Sequence, residues 1–144
     1  MKNRAIIAYC ARIREKANKL IINSLKASGY NDIAPSHGDI LNLLFSGQSY
    51  PMAKVAQKIY RSKSTVTTLV EKLEANGYIS RFKSEDDARV VMIKITQKGL
   101  ELKPIFAKIN DELSRVTQNE FSQTELDFLE TLLKKMTLNL KELQ

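Results

Sequence analysis

Apolar residues recur along the first part of the chain at Ile6, Cys10, Ile13, Ala17 and Leu20. This 4-3-4-3 spacing keeps one seam on one face of a helix and predicts a helix over about residues 5–27, with Ile7, Ile21, Ile22 and Leu25 widening the face. Gly29 supplies a stop, Asn31, Asp32 and Pro35 make a loop, and a second helix is expected from Ser36. Its apolar positions, Ile40, Leu41, Leu43, Leu44 and Phe45, suit a short buried helix ending at Gly47. Pro51 then sits where a first helical turn tolerates a missing N–H, and Met52, Val55, Ala56 and Ile59 give a two-turn helix. Arg61 and Ser62 interrupt the pattern. It restarts from Lys63 with Val66, Leu69, Val70 and Leu73 inward, Ser62 as N-cap and Asn76-Gly77 as the close.

After Gly77 the period changes from 3.6 to 2. Tyr78 to Lys83 read as a strand and Val90 to Ile95 as its β-branched partner, with Ser84 to Arg89 as a charged tip. The remainder is helical. Leu100, Ile105, Ile109, Leu113 and Val116 make one face, with Pro104 in a first turn or at a kink, and Leu126, Leu129, Leu133, Met136 and Leu140 make another. Two short helices joined by a tight turn and followed by a hairpin predict a mainly α fold with a small β-hairpin wing, an α+β winged helix-turn-helix.

Composition narrows the partners. The 144 residues carry 23 Lys+Arg against 16 Asp+Glu, a formal charge of +7, with 43% hydrophobic residues. That mixture belongs to a folded domain and is too apolar for a disordered basic tail. The excess is confined: residues 1–50 carry net +4 and residues 51–99 net +5, while residues 100–144 carry net −2. An evenly basic amphipathic membrane binder would not segregate its charge in this way, and no apolar run approaches the ~20 residues that span a bilayer. No membrane partner is expected. The start shows no small-residue cleavage site and reads as a mature cytoplasmic N-terminus.

The helix from Lys63 to Gly77 turns Lys63, Ser64, Thr65, Thr67, Thr68, Glu71 and Lys72 away from its apolar face. Small hydroxyls and a lysine near a helix N-terminus reach base edges and phosphates without blocking close approach to a major groove. Ser62 extends the hydroxyl face that suits base edges, Arg61 and Lys72 are placed for backbone phosphates, and Arg81, with Lys83 on the outgoing strand of the wing, is a further DNA-binding candidate. Arg89 projects at the tip, where a neighbouring carboxylate, Asp87, can hold its fork for a minor groove. Alone, the helix face also fits an ordinary solvated surface and the tip an incidental ion pair. In combination they point to double-stranded DNA.

The stretch from Arg61 to Gly99, RSKSTVTTLVEKLEANGYISRFKSEDDARVVMIKITQKG, resembles the signature region of the MarR family of winged-helix regulators. The resemblance rests on the reading helix, on LEANGYISR leading into the wing, on Asp87 and Arg89 at its tip, and on Thr96 and Gly99 at the next strand-to-helix junction. It covers almost the whole chain. It implies one domain over 1–144, with 36–99 as the DNA-binding lobe and 1–30 and 100–144 as dimerisation helices. It further implies a triangular homodimer on a near-palindromic operator. The surplus apolar seams of the terminal helices argue for a dimer independently, and two-fold symmetry would set the reading helices about 34 Å apart.

The function expected is a sequence-specific transcriptional regulator, a repressor released by a small-molecule effector. Cys10, the one cysteine, invites comparison with the hydroperoxide sensors of the same family, but their tyrosine partners have no match here, and a cysteine on an apolar seam reads as a core thiol. A redox regulator acting through Cys10 stays as an alternative, as does a winged-helix module that binds an acidic protein. His37, the one histidine, opens the second helix as a surface or capping residue, or as part of an effector pocket. No catalytic set, metal-ligand spacing or phosphate loop is present, so neither an enzyme nor a cofactor is expected.

Overall fold

The computed structural model describes Lys2 and residues 4–141. Residues 1, 3 and 142–144, which the sequence assigns to the terminal helices, lie outside them. The elements run α1 (Ile6–Ala27), α2 (Pro35–Leu44), β1 (Tyr50–Pro51), α3 (Met52–Lys58), α4 (Lys63–Ala75), β2 (Ile79–Lys83), β3 (Val91–Ile95), α5 (Gln97–Leu100), α6 (Lys103–Thr117) and α7 (Gln123–Lys141). They group into two compact units, residues 1–110 and residues 111–144.

The first unit holds the core. Ile40, Leu41 and Leu44 of α2, Val55 of α3, Val66, Val70 and Leu73 of α4, Ile79 of β2, Ile93 of β3 and Leu102 are all fully enclosed or nearly so. Those on helices are the inward positions of the helical period, and each such buried side chain contributes about 1.5–3 kcal/mol by leaving water. Phe106 of α6 stacks at an angle on Phe45, 5.8 Å between ring centres, and presses so closely on Gly38 of α2 that a Cβ there would collide with its ring. Helix α1 ends as expected: Gly29 adopts φ +88°, and the Tyr30 N–H returns to the Leu25 carbonyl oxygen at 2.9 Å.

Two local expectations change. Pro51 is not in the first turn of α3 but caps it from outside, in extended backbone. Together with Tyr50 it forms β1, a strand the periodicity does not reveal. β1 pairs antiparallel with β3, Tyr50 opposite Ile93 and Pro51 opposite Met92, so the hairpin becomes a three-stranded sheet of order β1-β3-β2. A proline is tolerated because β1 is an edge strand. Pro35, assigned to the preceding loop, is the first residue of α2.

In the second unit, α7 begins with a reciprocal cap. Ser122 Oγ accepts the Glu125 N–H at 3.1 Å, and Glu125 Oε2 accepts the Ser122 N–H at 2.9 Å. No residue of α7 is buried. Phe128, Leu129, Leu132, Leu133, Leu138 and Leu140 stay exposed.

Candidate nucleic-acid interface

The turn between α3 and α4 is tight because Tyr60 takes a left-handed conformation, φ +57°, which lets the Arg61 N–H reach back to the Ala56 carbonyl oxygen at 3.1 Å. Ser62 then starts α4, its Oγ accepting the Thr65 N–H at 3.2 Å and donating to Thr65 Oγ1 at 2.9 Å, with Ser64 Oγ 3.1 Å away. Thr67 and Thr68 donate their hydroxyls to the Lys63 and Ser64 carbonyl oxygens at 2.9 and 3.1 Å. Their donors are thus engaged within the helix, and the oxygen lone pairs are what face outward. Lys63, Ser64, Thr65, Thr68 and Lys72 are exposed, while Val66, Val70 and Leu73 anchor the opposite face.

The wing is the antiparallel pair β2–β3, registered Ile79 to Ile95, Arg81 to Ile93 and Lys83 to Val91. At its tip Asp87 binds Arg89 through both oxygens: Nε donates to Oδ1 at 3.1 Å and Nη2 to Oδ2 at 3.2 Å, while the Arg89 N–H also reaches Oδ1 at 3.0 Å. The guanidinium donors hold the Asp87 carboxyl below its usual range. Asp87 thus holds one edge of the Arg89 guanidinium, while the arginine side chain stays 91% exposed. A cleft of about 310 Å³ separates wing from helix, and Pro51, Met52, Lys63, Thr67, Arg89 and Val91 line it. Residues far apart in sequence, Lys63 and Thr67 on the helix and Arg89 on the wing, thus share one concave surface.

The base of the wing is bolted to the end of α4 by groups the motif reading did not resolve. Arg81 lies against Glu74, donating from Nε at 3.0 Å and Nη2 at 2.8 Å, while its N–H reaches the other carboxylate oxygen at 3.2 Å. The pairing pulls the Glu74 carboxyl down and the Arg81 guanidinium up. Arg81 is thus a brace between β2 and α4. Thr96 Oγ1 donates to the Gly77 carbonyl oxygen and accepts the Gly99 N–H, capping α5. A Cβ on Gly99 would overlap the Tyr78 carbonyl oxygen and the Ile95 side chain. Lys98 Nζ donates to the Asn76 carbonyl oxygen at 2.6 Å and lies 4.6 Å over the Tyr78 ring. Tyr78 donates its hydroxyl to the Asp32 carboxylate at 3.1 Å, and burial together with Asp32 pushes its pKa up to about 12. The Thr-x-x-Gly spacing just after a β-branched run was a readable cap signal, whereas Glu74 and Asp32 carried none.

Arg61 reaches the Asp39 carboxylate of α2 at 3.7 Å. Two expectations need correction. Cys10 is exposed among the described residues and is not a core thiol. His37 is a cap but not a surface residue: it is buried, and its Nδ1 accepts the Ala34 N–H at 2.9 Å. Burial lowers its pKa, Lys72 adds to the effect and Asp32 opposes it. Among the described residues, no group of His, Cys, Asp and Glu could hold a metal ion, and no helix is long and apolar enough to cross a membrane.

Comparison with known proteins agrees with this geometry. Residues 33–91 match the model of the MarR family. The HTH-type transcriptional regulator MhqR of Bacillus subtilis is 30% identical over 112 residues, 75% of this chain and 74% of that one. SarZ of Staphylococcus haemolyticus is 31% identical over 85 residues, 59% of this chain and little more than half, 56%, of its own length. The S. aureus MepR–DNA complex superimposes with a TM-score of 0.78 at 25% identity, covering 92% of this chain and 96% of that one. A tight helix-turn-helix, a braced hairpin and a relative matched over three quarters of the chain lead to one conclusion: the chain belongs to the MarR family of winged helix-turn-helix transcriptional regulators and is not an enzyme.

Proposed function

We propose that the protein is a sequence-specific, double-stranded DNA-binding repressor that reads a near-palindromic operator as a homodimer. The observation that carries this reading is the cleft between α4 and the wing, where Lys63, Thr67 and Arg89 face one space. In this reading α4 enters the major groove, with Ser64, Thr65, Thr67 and Thr68 on base edges and Lys63, Arg61 and Lys72 on bases or phosphates. Arg89, held by Asp87, enters the flanking minor groove. Ser62 and Arg81 act one step back, Ser62 by capping α4 and Arg81 by bracing the wing. The MepR relative was solved on DNA, which supports the same assignment for this fold.

Residues 36–99 form the reading lobe, and the terminal helices pair two copies. The exposed apolar faces of α1 and α7, with Ile7, Ile13, Phe128 and Leu133 among them, support that pairing. A small-molecule effector lowers affinity by preferring a different spacing of the two lobes, and only by its differential affinity for that state. Selection of duplexes from a random pool on the purified protein tests the proposal. An enriched inverted repeat with half-sites about one helical turn apart is the expected result; no enriched sequence would leave the acidic-protein module as the better reading.

A second, redox reading places the sensor at Cys10, which is open in the single chain and lies on the α1 seam proposed to meet the second copy. Mild peroxide treatment followed by mass measurement and DNA titration decides it: oxidation that leaves affinity unchanged ends that reading.

A further inference from the structure

A second concave surface lies on the other side of the α3–α4 turn. It encloses about 510 Å³ between α1, α2 and that turn, and Arg14, Asp39, Asn42, Lys58, Tyr60 and Arg61 line it. Its charge is unbalanced: three cationic side chains face one carboxylate. Among the described residues Asp39 pairs with Arg61 alone, at 3.7 Å with both partners more than a third exposed, a separation that leaves the pair weak. Lys58 lies 5.9 Å from the Tyr50 ring centre, and Arg14 has no acidic partner among the described residues. Asn42 adds polarity of the right sign. Its carbonyl oxygen is taken by Asn110 Nδ2 at 3.2 Å, so its own amide N–H groups are what it can offer the hollow.

A pocket with three cationic side chains against one carboxylate is suited to a small oxyanion, since guanidinium forks and an ammonium gain most from a carboxylate or phosphate that they can share. We infer that Arg14, Lys58 and Arg61 form an oxyanion site, with Asn42 as a neutral donor and Asp39 as the group the anion displaces from Arg61. The consequence for the reading head is direct. Arg61 stands immediately before Ser62, the cap of α4, so an anion that captures Arg61 acts on the residue that leads into the reading helix. The oxyanion has two possible sources: a backbone phosphate flanking the operator or a free anion in solution. The first rests on the DNA binding proposed above; the second does not.

Opposed substitutions test the site in the full-length protein. Inorganic phosphate is titrated against chloride at matched ionic strength, with the backbone amide signals of Asn42, Tyr60 and Arg61 as readout. Arg14→Gln is expected to weaken phosphate by about tenfold, and Arg14→Lys to restore part of it, through loss and return of a charge-assisted bond. Asp39→Asn is expected to strengthen it by about threefold, through loss of a competing charge. In parallel, the salt dependence of operator binding is measured for the same proteins. A slope reduced by about one in Arg14→Gln assigns the oxyanion to duplex phosphate; an unchanged slope with altered phosphate binding assigns it to a free anion. The proposal stands if either response moves in opposite directions for Arg14→Gln and Asp39→Asn, and falls if neither does. Should the protein bind no DNA, the phosphate titration still decides.

Discussion

Thr96 Oγ1 donates to the Gly77 carbonyl oxygen at 2.6 Å, joining the strand-to-helix junction behind the wing to the glycine that ends the reading helix 19 residues earlier. The same oxygen accepts the Gly99 N–H at 3.1 Å, so one hydroxyl satisfies two backbone groups that would otherwise lack a partner. The wing is held to α4 through this point, through Arg81 on Glu74 and through Lys98 on the Asn76 carbonyl oxygen.

Thr96→Val keeps the shape of the side chain and removes both bonds. It is expected to destabilise the fold by about 1–2 kcal/mol, whereas Thr96→Ser stays near wild type. Gly99→Ala, which drives a methyl group into the Tyr78 carbonyl oxygen, is expected to cost about 1–3 kcal/mol by overpacking. Urea unfolding midpoints check both, and an unshifted midpoint for Thr96→Val would show that the junction is held elsewhere.

At the wing tip the expected effect is on binding and not on folding. Arg89→Ala removes a cation that is almost wholly solvent-exposed, so the thermal midpoint stays put. Operator affinity falls, and the slope of log K against log salt drops by about one. Asp87→Asn leaves the cation in place but loosens its fork, lowering affinity with little change in slope. Titrations at several salt concentrations separate the two, and a slope that ignores Arg89→Ala removes the wing from the mechanism.

His37 makes stability depend on pH. Its folded-state pKa lies below the ordinary value of about 6.5 because burial disfavours the imidazolium. The neutral ring is therefore favoured by folding. Its contribution is fully present above pH ~6.5 and is lost as pH falls through the depressed folded value. His37→Gln, which keeps an acceptor but does not titrate, should flatten the fall in stability between pH 7 and pH 5, as read by chemical denaturation in that range. Parallel curves for the two proteins would contradict the assignment.

Association is tested at positions already open in the single chain. Ile13 is 60% and Leu133 37% exposed, so Ile13→Glu and Leu133→Glu leave the chain's own core intact. If these faces pair two copies, each substitution shifts sedimentation towards the single chain. Operator affinity should then drop by about a hundredfold, as the second half-site no longer benefits from being tethered to the first. A wild-type protein that sediments as a single chain at micromolar concentration would exclude the dimer.

The helices were readable because their apolar positions repeat every three to four residues. The bounds of α1 and α4, the Ser62 cap, the left-handed Gly77 and the β2–β3 pair all emerge from patterns spanning a few residues. The Asp87–Arg89 pair was equally accessible, since its members are two residues apart. β1 was not: two residues have no period, and Pro51 becomes a strand residue only because β3 lies beside it.

By itself, then, the sequence determined which faces of each segment are apolar, the bounds of α1 and α4, and where positive charge gathers, because these are properties of near neighbours along the chain. Only the tertiary structure decided that Arg81 braces Glu74, that Tyr78 reaches Asp32, that His37 is enclosed while Cys10 is open, and that Arg14 shares a hollow with Lys58 and Arg61. Such pairings join segments distant in sequence. A side chain's period reports the face it occupies but not the element that comes to meet it, and the partner is settled when the packed core fixes those elements against one another.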